Sequence, residues 1–489
     1  MRVQSAARIC VVIFAALLLH GFAAAQTSCW LSVGLRPDVM IRICTDELAT
    51  TKLSKDDRYR NLLVRASAYN VAGEFDLGLA DANSALEIKP DDVYALVARG
   101  AFYGNKEMAA ESYADFEHAL KLDPSNQYAL VGLADAETMA RQYDKAIADY
   151  TSAIVAHPNF LEAYGHRAVA EGRNGRCDLS MADEAQVLRR DPHNARAMLG
   201  TSYCYLWEGD ADGALQGATQ LLTIQPKNAE AAAIRGRAYL MMGEYAKALE
   251  EYTHVTELAP NDADGWTGRG NVFRAQREYD KAEAEYAHAL EMKPDDSTAL
   301  LGRAWLALDR GQAPAAVEDA TRAVQSLTRL RHPEASALRV RAMAEFCMGQ
   351  WAAAEKDYGE VAKAWPDESA PAVGLYLATM RGGGADGKQA GAALEAALAA
   401  MSNEWPKAAA AMFAGAKSPE ELMTETKSPH AYREKELECD AEFYLGERAL
   451  LRGDLKDSKK QLEKSVASGL HTNASYQMAR AELERMKAK

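Results

Sequence analysis

The stretch Arg235–Pro260, RGRAYLMMGEYAKALEEYTHVTELAP, carries the pattern on which the chain is built. Its closing proline belongs to a series, Pro90, Pro124, Pro158, Pro192, Pro226, Pro260 and Pro294, each 34 residues after the last. Seven prolines in strict register, in a chain that has only 15, do not follow from composition. A fixed period of this length, with small and large apolar residues at constant offsets, marks a tandem array of helical hairpins. Each hairpin buries its apolar face only against the next.

Let the proline stand at position 32, so that the first unit begins at Tyr59. Position 8 then reads Ala66, Gly100, Ala134, Ala168, Ser202, Gly236 and Gly270, and position 20 reads Gly78, Ser112, Ala146, Ser180, Ala214, Ala248 and Ala282. Every one is small, as two antiparallel helices require where their backbones cross. Large residues fill position 4 (Leu62, Leu96, Leu130, Tyr164, Met198, Trp266) and position 24 (Phe116, Tyr150, Tyr252, Tyr286). Two residues after the proline come Asp92, Asn126, Asn194, Asn228, Asp262 and Asp296, types that cap a helix by accepting a backbone N–H. The proline before them ends the previous helix.

With these residues in view, the pattern resembles the tetratricopeptide repeat (TPR). The resemblance implies an all-α fold, a right-handed α-α superhelix (TPR solenoid) of about 10–11 repeat units, and a protein-binding role. Position 6, which holds asparagine in the ladder of O-GlcNAc transferases and polar clamps in chaperone-tail binders, reads Val64, Ala98, Gly132, His166, Gly200, Ile234, Gly268, Gly302 and Val340. Neither recognition mode carries over. The run Glu438–Gly446 resembles the closing repeat of exported bacterial TPR proteins, including the NlpI type, which implies an envelope adaptor.

The expected organisation is a signal peptide (1–25), an N-terminal capping strand and helix (26–58, helix Pro37–Thr50) and seven regular units (59–296). Two further units follow (297–368), then a degenerate unit with a Gly-rich loop and linker (369–437), then a terminal unit with a capping helix (438–489). In the terminal helix, Glu482, Glu484, Arg485 and Lys487 would form the polar outer face that ends a solenoid. Arg2 and Arg8, the apolar run Ile9–Leu19 and Ala23-Ala24-Ala25 read as a cleavable leader, too short to span a bilayer. Residues Gln26, Thr27 and Ser28 lack the apolar residue that lipid attachment at Cys29 needs, so the reading is periplasmic or secreted. Loss of Arg2 and Arg8 takes the net charge from −14 to −16, which argues against nucleic acid or anionic lipid as the primary partner.

Six of the seven cysteines remain after Cys10 is removed with the leader, compatible with three bridges. The repeat register places Cys177 (position 17) beside Cys204 (position 10 of the next unit); Cys29–Cys44 would tie down the N-terminus, and Cys347–Cys439 is what remains. Some of these could equally be buried thiols.

An arginine ladder stands at position 7 (Arg65, Arg99, Arg167, Arg235, Arg269, Arg303, Arg341), and acids stand at position 23 (Asp81, Asp115, Asp149, Asp183, Glu251, Glu285, Asp319, Asp357). Where position 23 is Gly217, position 7 is Thr201, so the two sets are read as structural pairs rather than an anion stripe; Leu133 beside Asp149 breaks the rule. The inner wall of such an array is lined by each unit's first helix. Its mixed aromatic, apolar and cationic side chains Tyr203, Arg237, Asn271, Arg274, Trp305 and Phe346 form the candidate partner-binding groove. Trp305 and Phe346 could instead pack under a neighbouring segment.

No HExxH, GxSxG, phosphate loop, CxxC or calcium loop is present, and no histidine pair has metal-ligand spacing. The sequence therefore reads as a non-enzymatic scaffold for a protein or peptide. It has no catalytic residues, metal, cofactor or small-molecule substrate, and it meets the membrane only through its partner. The competing readings are a structural part of an envelope assembly, such as polysaccharide export or secretion machinery, and a saccharide-binding groove.

Overall fold

A computed structural model describes residues 28–50, 52–329, 334–383, 387–401, 405–428, 431–471 and 473–488. The leader and its cleavage site, the inter-repeat segment 330–333 and residues 384–386 of the expected Gly-rich loop (381–387) lie outside the described residues. All regular structure among the described residues is helical. The chain forms two compact units that divide between Ile234 and Arg235.

In the first unit the helical pairs follow the 34-residue register: Lys55–Ala72 with Phe75–Ile88, Val93–Asn105 with Ala109–Leu122, Gln127–Met139 with Tyr143–Ala156, Leu161–Arg173 with Cys177–Arg190, and Ala195–Trp207 with Ala211–Ile224. The first helix of each pair is called A and the second B. The side chains of Asp92, Asn126, Asn194 and Asn228 each accept a backbone N–H three residues on. The fourth repeat has Phe160 in that place and no side-chain cap.

Position 15 of nine repeats adopts the left-handed conformation that ends helix A. Glycine provides it at Gly73, Gly175, Gly209, Gly243, Gly311 and Gly349, while Glu107, Arg141 and Arg277 adopt it without glycine's freedom.

The N-terminus departs from expectation. The segment read as a strand is a 3-10 turn, Cys29–Ser32, in which Ser32 Oγ donates to Cys29 O; Cys29 is bonded to Cys44 with their Cα atoms 4.6 Å apart. Among the described residues there is no strand with which this segment could pair. That helix is Pro37–Leu48, shorter than expected, and helix A of the first repeat begins at Lys55, capped by Ser54, so it crosses the boundary drawn at 58.

The second unit holds the sixth-repeat B helix Tyr245–Leu258 and the pairs Ala263–Ala275 with Tyr279–Met292, Ser297–Asp309 with Ala313–Arg329, and Ala335–Met348 with Trp351–Ala364. Shorter helices follow: Ser369–Gly382, Gly387–Ala397, Lys407–Phe413 and Pro419–Thr424. The terminal pair is Ala431–Leu451 with Leu455–Ala467, its first helix starting seven residues before the expected 438, and Ala474–Lys487 closes the chain.

The terminal helix does not simply present a polar face. Glu482 is buried and, with buried Glu447, pairs with Arg381, whose guanidinium lies over the Trp351 ring; Arg485 stacks on the same ring and also pairs with Glu482. The helix packs on helix A of the ninth repeat. Burying a charged cluster costs desolvation, which the ion pairs made here offset in part, with Glu447 Oε1 and Arg485 Nε left without a hydrogen bond.

The arginine ladder is an internal device. Arg65–Asp81, Arg99–Asp115, Arg167–Asp183, Arg303–Asp319 and Arg341–Asp357 are two-pronged, each guanidinium meeting both carboxylate oxygens. Where the acid is glutamate, as in Arg235–Glu251 and Arg269–Glu285, the longer side chain reaches Nη2, and the Nε of Arg235 and Arg269 is buried without a hydrogen bond. In the exceptional third repeat Lys145 reaches Glu137 instead. Arg167→Ala leaves Asp183 buried and unpaired, an expected loss of about 3 kcal/mol. Replacing both partners by leucine is expected to lower the urea midpoint less than that single change.

Glu107→Gly relieves a left-handed non-glycine and is expected to stabilise by about 1 kcal/mol, read as a rise in the same midpoint.

Candidate functional site

The repeats interlock through one recurring contact. A Cβ added at Gly132 would lie 2.3 Å from Phe116, one at Gly268 2.2 Å from Tyr252, and one at Gly302 2.6 Å from Tyr286. Glycine at position 6 therefore makes room for the position-24 ring of the preceding repeat, and this explains why position 6 carries no clamp residue. The fourth and fifth repeats use the same contact differently: Glu184 takes the ring's place and its carboxylate fills the space over Gly200.

Burial raises the Glu184 carboxyl to about 8; Arg196 opposes the shift and Asp183 adds to it. Buried Glu171, on helix A of the fourth repeat, is raised to about 7, again by burial and by Asp183. The folded Glu184 thus keeps its proton up to about pH 8, whereas the unfolded side chain loses it near 4.5. Folding takes up a proton between those values, so this stabilisation is complete at low pH and is lost as pH rises through about 8. The melting temperature is expected to fall from pH 5 to pH 8.5 at constant ionic strength, and Glu184→Gln is expected to make that fall smaller.

The residues read as a groove take different places. In the first unit Tyr203 is half-buried and its hydroxyl donates to Glu230 Oε1 at 3.0 Å. In the second unit Arg237 is exposed and enters no ion pair among the described residues. Asn271 is occupied, its Oδ1 accepting the Tyr286 hydroxyl at 2.7 Å. Arg274 pairs with buried Asp309 at 2.6 Å and lies over the Trp305 ring, leaving Trp305 half-buried beneath it. Phe346 is fully buried against Trp351 and Phe443 and is not a groove residue, because the terminal helices cover the inner face of the ninth repeat. Asp309 was missed in the sequence: its partner lies 35 residues upstream, outside the intra-repeat spacing of the ladder.

A further set of partly open side chains lies on the helix Ala195–Trp207. Arg196, Tyr203 and Trp207 are spaced by seven and four residues and so share one side of it. Arg196 is exposed, and Trp207 is 58% exposed, flanking Gly172 of the preceding repeat. The signal for Trp207, a tryptophan at position 13 where the chain turns, was present in the sequence but lay outside the inner-wall positions considered there.

Cysteine placement is mixed. The Cys177 and Cys204 thiols are buried in hydrogen-bonding contact but are not bonded. Cys347 and Cys439 do not pair: Cys347 is near Arg480 and Arg485, whereas Cys439 contacts Ser465 and Asn473 at the opposite end of the terminal hairpin. Among the described residues no group of His, Cys, Asp and Glu is arranged to hold a metal, and no helix is long and apolar enough to cross a membrane.

One tetratricopeptide-repeat family model matches residues 98–159, 166–229 and 267–329, and a second matches residues 208–271. No curated protein matches the sequence. Similar solved structures include a tetratricopeptide repeat protein from Parabacteroides merdae ATCC 43184, with 20% identity over 48% of this chain and 93% of that one and a TM-score of 0.41. Yeast Tom70 has 15% identity over 80% of this chain and 96% of its own, with a TM-score of 0.47. The Cut9–Hcn1 hetero-tetramer of the APC/C has 12% identity over 83% and 98%, with a TM-score of 0.43. The matched spans are tetratricopeptide repeats, and the fold is an all-helical TPR solenoid. Such arrays act in general as scaffolds for protein or peptide partners.

Proposed function

We propose that this tetratricopeptide array is an exported, non-enzymatic adaptor of the bacterial cell envelope that holds a protein or peptide segment on the inner face of its A helices. The observation that carries the reading is the face of Ala195–Trp207, where a cation, a phenol and a 58% exposed indole stand together. Tryptophan, tyrosine and arginine are the side chains that most often supply binding energy at protein interfaces. Tyr203 and Trp207 would provide buried area, and Arg196 would favour a carboxylate on the partner. Arg237 extends the same logic in the second unit, whereas reversal of Arg274 would orphan buried Asp309 and test stability instead.

Export is supported by the leader-like residues 1–25 and by cysteine usage, with Cys29 bonded to Cys44 and Cys177 in contact with Cys204. In an oxidising compartment the second pair can close as well. The competing reading, a structural part of an envelope assembly, is favoured by one observation: the chain's own terminal helices cover the inner face of the ninth repeat. Ends and outer faces would then matter more than the inner wall.

Crosslinking in the native envelope, followed by identification of the attached protein, separates the two. Arg196→Glu with Trp207→Ala is expected to reduce the captured partner about tenfold or more, and unchanged capture would remove the inner-face reading. The exported chain is expected to begin after Ala25, which intact mass reads directly.

A further inference from the structure

The terminal helix shows how this array holds one of its own helices. Arg480 donates to Leu308 O at 3.1 Å and reaches Asp309 O at 3.4 Å; Arg485 reaches Phe346 O at 3.3 Å and donates to Cys347 O at 2.7 Å. These carbonyls occupy positions 12 and 13 of the eighth and ninth repeats. Two arginines five residues apart therefore read the same main-chain atoms of consecutive repeats. Leu308 O and Phe346 O already accept the Gly311 and Gly349 N–H, but a carbonyl has a second lone pair, and those at a helix end carry the negative end of its dipole, so a guanidinium is their natural complement. Met478 and Ala479 on the same helix are buried in the core of this unit.

The fifth repeat shares that turn geometry with the other regular repeats. Gly209 is left-handed with φ 79°, beside 78° at Gly311 and 74° at Gly349. Its N–H bonds Leu206 O, and the next N–H, of Asp210, bonds Tyr205 O; Gly311 and Gln312 make the equivalent bonds to Leu308 O and Ala307 O, and Gly349 and Gln350 to Phe346 O and Glu345 O. The carbonyls of Leu206 and Trp207 are thus set as those of Leu308 and Asp309 are. The difference is cover. At position 13 the side chain of Asp309 is 3% exposed, whereas that of Trp207 is 58% exposed. Leu179, in the first turn of helix B of the preceding repeat, is a further exposed apolar residue, at 46%. Exposed Asp178, Glu208, Asp210 and Asp212 stand in or beside these turns and outnumber the exposed Arg173 and Arg176, of which Arg176 is paired with Asp144.

We infer that the turn edge of the fifth repeat, centred on Trp207 and the Leu206 and Trp207 carbonyls, docks a basic amphipathic helix of the partner in the manner of the chain's own terminal helix. The inference rests on the scaffold reading above and narrows its partner to a helix with arginines about five residues apart beside an apolar stripe. The indole covers the stripe, an arginine caps the end of helix A, and the surrounding carboxylates favour the basic face.

The probe is the sequence of residues 474–487, ASYQMARAELERMK, made as a labelled peptide with blocked ends and titrated into the full chain by fluorescence anisotropy. Saturable binding is expected, weakened about tenfold or more by Trp207→Glu in the protein, and weakened likewise by reversal of both arginines in the peptide. Trp207 is exposed, and an unchanged melting temperature will show that the variant folds. No saturable binding, or binding indifferent to either change, overturns the inference, and indifference to Trp207→Glu alone does so by showing exchange with the resident helix. If envelope crosslinking still depends on Arg196 while the peptide fails, the scaffold reading stands and the helical partner falls.

Discussion

The contact on which the array depends is the one between the ring at position 24 of one repeat and the missing side chain at position 6 of the next. Tyr252 against Gly268 and Tyr286 against Gly302 are the clearest cases, too close for any Cβ. Each ring is buried, so its apolar area contributes fully and the neighbouring helix can approach only in one register. The arginine–acid pair adds a second constraint inside each repeat, fixing helix A against helix B by a fork that matches a carboxylate plane. One contact sets the spacing between repeats and the other sets the hairpin. Together they leave little freedom for the side chains between them.

The arginine–acid pair recurs in seven repeats and the contact over a position-6 glycine at several junctions, and this is why so much of the fold was legible. The prolines, the Asp and Asn caps and the co-variation of Arg with Asp or Glu are each local signals repeated several times. What could not be read is what happens once. The turn at Cys29–Ser32 follows from a single bond. The cluster of Arg381, Glu447 and Glu482 joins residues 66 and 101 apart, and nothing in a charged helix marks one of its glutamates as buried.

The candidate site divides in the same way. Residue type identified Tyr203 and Arg237 as wall residues, but type alone could not tell a free cation from an engaged one. Arg274 and Arg237 look alike in the sequence; the first is tied to a buried aspartate and the second faces solvent. Phe346 looked like an anchor and is core, because the chain returns to cover it. Trp207 became visible only once helix A was seen to end there with its ring outside.

Beyond the contacts of Arg485 with Glu482 and the Trp351 ring, the arginines of the last helix grip main-chain oxygens. A grip of that kind is blind to residue identity: mutational drift along the eighth and ninth repeats cannot erase the atoms being held, short of a change that breaks the helix itself. Gain or loss of one whole 34-residue module would present an equivalent pair of oxygens to the same two guanidinium groups. The array can therefore lengthen or shorten over evolutionary time without having to invent a new way to end.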